Sequence, residues 1–147
     1  MESKLSIAVL CFLGLFVNVQ GLSLESENLE KYEKCWHYAI CLSDETVSQK
    51  RKECCNILRP EETKSAYQSI KDHYKYRSEN FNDSVEEYCK IDDAEKPNVY
   101  TKTLSGIMAY QKIVCAGGSK KGECTRITEK LGCIYGLLDQ LKQQGKC

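Results

Sequence analysis

The stretch CTRITEKLGCIYGLLDQL, residues 124–141, places Cys124, Ile127, Leu131, Ile134, Leu138 and Leu141 at successive spacings of 3, 4, 3, 4 and 3. Apolar residues on that period line one side of an α-helix, not a strand. Gly132 and Gly136 stand four apart beside the seam and are expected to let another helix approach closely. The seam spans fewer than three heptads, too short for a coiled-coil dimer, so an ordinary core helix is expected.

Working outward, the same period recurs and no stretch shows sustained strand alternation. Upstream, Leu104, Ile107, Met108, Val114 and Cys115 share one side of a helix that follows Pro97 and stops at Gly117-Gly118, where glycine accepts the left-handed conformation of a C-cap. Asp83 or Ser84 is expected to cap a shorter helix carrying Val85, Tyr88 and Cys89, with a charged surface loop from Ile91 to Lys96 behind it. Pro60 suits the first turn of a helix running to about Arg77 with Tyr67, Ile70 and Tyr74 on its stripe. Before it, Ser43 with Asp44 and Glu45 marks the start of a helix bearing Val47, Cys54, Ile57 and Leu58. The first helix is expected over Glu25 to Cys41, with Leu29, Tyr32, Trp36, Ala39 and Ile40 as its stripe. The expected fold class is all-α: a compact bundle of five to six helices cross-linked by disulfides.

The chain opens with Lys4, an apolar run from Leu5 to Val17, and a small-residue exit at Val19 and Gly21. That order predicts a secretory signal peptide over residues 1–21, cleaved after Gly21. The run is about 13 residues, short of the ~20 a membrane span needs. Residues 22–147 then form one helical, disulfide-rich domain, expected to be soluble, secreted and extracellular. This mature part carries no net formal charge, so it has no electrostatic attraction for nucleic acid or anionic lipid. Its Leu, Ile, Val and Phe content is about 18%, a thin aliphatic core.

Cysteine fills that gap. Cys35, Cys41, Cys54, Cys55, Cys89, Cys115, Cys124, Cys133 and Cys147 all lie in the mature region, and secretion favours their oxidation. Cys54 and Cys55 point about 100° apart on a helix and should reach different partners. Cys35 and Cys41 are about 9 Å apart along one helix, too far for a bridge. Cys124 and Cys133 face opposite sides. Cys115 and Cys124 flank a Gly-rich turn and fit a bridge across the last helical hairpin. The other pairings stay open, since eight cysteines alone allow about 105 connectivities. Nine is odd, so one thiol stays free, binds a small thiol or links two chains into a dimer; Cys147, at the exposed chain end, is the expected odd one.

No reaction site can be assembled. His37 and His73 stand on separate helices, and there is no Cys-x-x-Cys, His-x-x-x-His or calcium loop. No Gly-x-Ser-x-Gly occurs, and Cys35 and His37, two apart on a helix, diverge. A non-enzymatic protein without catalytic residues, metal or cofactor is expected. Nine tyrosines, each with an apolar body and polar tip, suit pocket mouths. Tyr67, Tyr74, Met108 and Tyr110 are the candidate ligand-binding residues. Asn82-Asp83-Ser84 is an N-glycosylation sequon in an expected loop, making Asn82 a glycosylation candidate.

The Cys-x₈-Cys spacing of Cys115 to Cys124 and Cys124 to Cys133, with the helix count, resembles the insect-type odorant-binding proteins, although their Cys-x₃-Cys is missing and the vicinal Cys54-Cys55 is added. The segment from Glu53-Cys54 through Glu62-Thr63 to Ala66-Tyr67 resembles the microplusin-like antimicrobial proteins of ticks, without their histidine-rich ends, so copper sequestration is not implied. The first resemblance implies a carrier of a small hydrophobic ligand held between helices. The alternative is a venom or salivary, toxin-like or antimicrobial effector acting on an extracellular protein or a membrane.

Overall fold

A computed structural model describes residues 31–147; the expected leader with its cleavage site, and residues 25–30 of the expected first helix, lie outside the described residues. Six α-helices and no strand occur among the described residues. α1 (Glu33–His37) runs on into a π-helical turn (Tyr38–Leu42); α2 is Glu45–Cys55, α3 Pro60–His73, α4 Phe81–Lys90, α5 Lys96–Cys115 and α6 Lys121–Gln143. α5 is the spine: it packs against α3 on one side and α6 on another, while α6 also meets α1 and α2. No described helix is long and apolar enough to cross a membrane.

The α6 seam is buried as its spacing predicts: Ile127, Leu131, Ile134, Leu138 and Leu141 all lie in the core. Helix ends follow local polar chemistry. Asp44, not Ser43, caps α2, its carboxylate accepting the Val47 N–H at 3.0 Å, while Ser43 Oγ donates back to the Ala39 carbonyl. Asn80 caps α4 by accepting the Asp83 N–H, so α4 begins at Phe81, ahead of the expected Asp83 or Ser84. Pro60 opens α3 and Pro97 lies in the first turn of α5. α3 stops at His73, short of Arg77, because the Glu87 carboxylate of α4 takes the Arg77 and Ser78 N–H groups. Gly117 and Gly118, with φ of 85° and 68°, turn the chain from α5 to α6.

Four disulfides join the helices: Cys35–Cys147, Cys41–Cys89, Cys54–Cys133 and Cys115–Cys124. The bridge expected across the last hairpin is present. The odd cysteine is Cys55, not Cys147. Gly145, at φ 70°, and a hydrogen bond from the Lys146 N–H to the Leu141 carbonyl fold the chain end back, and this carries Cys147 to α1. On a chain-entropy basis the Cys35–Cys147 closure, separated by 112 residues, contributes about 4–5 kcal/mol, against about 2–3 for the nine-residue separation of Cys115–Cys124.

α3 alone among these helices has no bridge, and it is fixed by close packing instead. A Cβ on Gly106 would stand 2.5 Å from the Ile70 Cα and 2.9 Å from the Ser69 carbonyl oxygen, so only glycine allows α5 to reach α3. Ser69 Oγ donates to the Gly106 carbonyl at 2.7 Å across this contact. Gly132 and Gly136, the pair expected to permit close approach, are exposed, and a Cβ on either meets nothing within 4 Å. At the other end of α3, Glu62 is 6% exposed. It accepts the Arg59 N–H and is paired with the Arg126 guanidinium of α6. The Arg126 hydrogen bonds hold its carboxyl down at about 2, against the pull of burial in the other direction.

Two outcomes follow from the packing of α3. Gly106→Ala is expected to lower the unfolding free energy by about 2 kcal/mol, the usual scale of overpacking. Gly132→Ala, with free space around it, should leave stability unchanged or raise it by up to about 1 kcal/mol; urea denaturation of both variants checks this. Because the folded-state pKa of Glu62 is depressed, its pairing stabilises the fold above the ordinary value of 4.5 and is lost as pH falls toward about 2. The stability gap between the parent and Glu62→Gln should therefore be widest near neutral pH and close across that acidic window, as read from denaturation midpoints at stepped pH.

Candidate functional site

The thin aliphatic core is filled out by aromatic side chains. Seven of the nine tyrosines are buried, among them Tyr88 and Tyr100 on α4 and α5. Tyr67 contacts both Tyr76 and Phe81 edge-on or tilted, and Trp36 stands 6.0 Å from Tyr100. Most buried hydroxyls are served. Tyr67 donates to the Ser78 carbonyl, Tyr76 shares a 2.9 Å bond with Thr103, and Tyr110 donates to Glu123. Burial pushes the Tyr76 phenol up to about 12 and raises those of Tyr88, Tyr110 and Tyr135 as well.

Between α2 and α6 the packing leaves an apolar pocket. Trp36 of α1 and Ile40 of the π turn form one wall, Phe81 of α4 another, and Leu104 and Ile107 of α5 the floor. α6 contributes Lys130, Leu131, Ile134 and Tyr135, and α2 contributes Arg51 and Cys55. The space is about 20 Å³, room for about one water molecule. Its position follows from local structure. Ile107 adjoins Gly106, so the close α3–α5 contact fixes the floor. Cys54–Cys133 ties α2 to α6 immediately beside it.

Besides the Tyr135 phenol, the lining carries a thiol and two cationic side chains. Cys55, the free thiol, is half-buried. Lys130 is 7% exposed, and its Nζ lies 5.2 Å from the Phe81 ring centroid. Burial lowers its pKa, and the neighbouring Cys55 opposes that shift. The Arg51 Nε is buried without a hydrogen-bond partner. No group of three or more His, Cys, Asp or Glu side chains placed to hold a metal occurs among the described residues.

None of the four tyrosine and methionine candidates lines this pocket. Tyr67 and Tyr110 are buried with their hydroxyls committed elsewhere. Tyr74 is the C-cap of α3, and Met108 is half-buried against the core. Asn82 is exposed, but in the first turn of α4 and not in a loop, and its sequon partner Ser84 is buried with Oγ bonded to the Phe81 carbonyl. The signal that points to the pocket is a cation set inside an apolar stripe. Lys130 falls between Ile127 and Ile134 at steps of 3 and 4, and Arg51 falls between Val47 and Cys54 at steps of 4 and 3.

The thiol assignment has a direct readout. Denatured, unreduced protein should titrate as one thiol per chain, reacting more slowly when native, and Cys55→Ala should retain four bridges and no titratable thiol, as counted by intact mass after alkylation.

Compared with protein families, curated proteins and solved structures, the chain matches none, and what stands is a small all-helical protein cross-linked by four disulfides.

Proposed function

We propose that this is a secreted, non-enzymatic binding protein that takes a small hydrophobic ligand in the pocket between α2 and α6. The observation that carries the reading is the convergence of five helices on one space walled almost wholly by Trp36, Ile40, Phe81, Leu104, Ile107 and Ile134. Ligand sites are usually apolar clefts with a few placed polar groups, and this lining has that balance. The four bridges fit an oxidising, extracellular setting. The space of about 20 Å³ is far below the ~300 Å³ of an ordinary ligand pocket, so a ligand of that size requires a wall to move. α2 is a wall that buries little of itself: Cys54 is its one buried residue, and that residue is bridged to α6. It can swing outward about the bridge while the α3–α5–α6 core stays packed.

The small volume of the pocket also favours a second reading, a toxin-like or antimicrobial effector acting through its surface. Ile113, 72% exposed on α5, is the kind of apolar side chain such a surface would present.

N-phenylnaphthylamine, an uncharged apolar fluorophore, separates the two. On the carrier reading it should bind native protein once per chain with a micromolar dissociation constant, about −8 kcal/mol. Ile107→Trp, which fills the space, should weaken binding by tenfold or more. Absence of saturable binding by this and other apolar probes would leave the surface-effector reading in its place.

A further inference from the structure

Among the described residues, the other buried charges have partners. Glu62 is paired with Arg126, and Lys96 Nζ lies 2.7 Å from an Asp93 carboxylate oxygen. Lys130 is the exception. It is as buried as they are, yet among the described residues its Nζ has the face of Phe81 and no carboxylate. A buried ammonium without a counter-ion is strongly disfavoured, and a cation–π contact returns only about 2 kcal/mol when desolvated. Arg51 adds a second cation to the same lining, with its Nε buried and unpaired.

The placement of these two cations follows from the bridge. Arg51 is three residues before Cys54, and Lys130 is three residues before Cys133. Residues three apart share a helix face. The Cys54–Cys133 disulfide therefore holds two facing helices so that each presents one cation, a turn from the bridge, to the same apolar space. No lining residue is a carboxylate, and the Cys55 thiol and the Tyr135 phenol are the weak acids among them, so the site sets two cationic side chains over an apolar floor.

We propose that the pocket takes an amphiphilic anion, its head group held between Arg51 and Lys130 and its apolar tail against Trp36, Leu104 and Ile134. This assignment rests on the pocket being a ligand site and adds the ligand's chemistry. A bound carboxylate or sulfonate supplies the missing counter-charge, and charge-assisted hydrogen bonds to guanidinium and ammonium are the strong class. The tail follows the direction in which α2 yields.

Two probes of like apolar body test this on the native, fully bridged protein: anilinonaphthalene sulfonate, which is anionic, and N-phenylnaphthylamine, which is neutral. The sulfonate should bind at one per chain and at least about tenfold tighter, the scale of a hydrogen bond to a charged group. Decanoate should displace it at concentrations where decanol does not. Lys130→Met, which keeps the side-chain volume, should bring the two probes to near parity, and Arg51→Gln on the half-exposed face of α2 should reduce the preference even if the first variant folds poorly. Equal binding of both probes by the parent would overturn the anion assignment while leaving the pocket reading intact. So would a preference that survives in Lys130→Met and Arg51→Gln alike. Binding of neither probe would overturn both.

Discussion

The approach of α5 to α3 at Gly106 is the contact on which the rest of this bundle depends. It is so close that Ile70 and Ser69 occupy the place of a side chain, and it fixes α3, the helix that no disulfide reaches. The same contact sets the rotation of α5 about its axis. That rotation directs Leu104 and Ile107 to the pocket floor and Tyr100 and Val99 into the core. Ser69 and Thr103 sit on either side of it as polar fasteners, the first on the Gly106 carbonyl and the second on the Tyr76 hydroxyl.

Tyrosine supplies the bulk that a low content of Leu, Ile, Val and Phe leaves missing, at the expense of placing many hydroxyls near the interior. A buried hydroxyl without a partner loses about 1–3 kcal/mol. The fold meets this for several of them by routing phenols to its rim, to the Ser78 carbonyl, to Glu123, and to Asp139 from Tyr32, while among the described residues the Tyr88 hydroxyl stays buried without a partner. The bridges complement the aromatic core by constraining the unfolded chain, the larger part of their effect on a chain-entropy view. Interior packing and cross-links therefore act on opposite sides of the folding equilibrium.

Helix number, the α6 seam and the Cys115–Cys124 hairpin were legible because each depends on residues near one another in sequence. What was not legible depends on the partner. Gly132 and Gly136 have the spacing of a close-contact motif, but they lie beside the seam on a face that nothing covers, whereas Gly106 has no motif around it and gains its role from Ser69 and Ile70. Cys147 read as a loose end because Gly145 signals a helix stop but not which helix the reversed chain end then meets. Residue type alone points to Tyr67 and Tyr110 as ligand residues, but their hydroxyls are committed to the Ser78 carbonyl and to Glu123. The cations on the apolar stripes of α2 and α6 were visible in the spacing. Their meaning was not, because it requires knowing that the two stripes face each other.

The Cys35–Cys147 bridge gives the domain the topology of a near-ring. A peptidase that cuts any one peptide bond between those two residues releases no fragment, since both pieces stay joined through sulfur. The severed ends remain at the high effective concentration that a short tether imposes, and the helices on either side of the nick keep their packing partners at hand. A single cleavage becomes a scar in the backbone and not a loss of the fold.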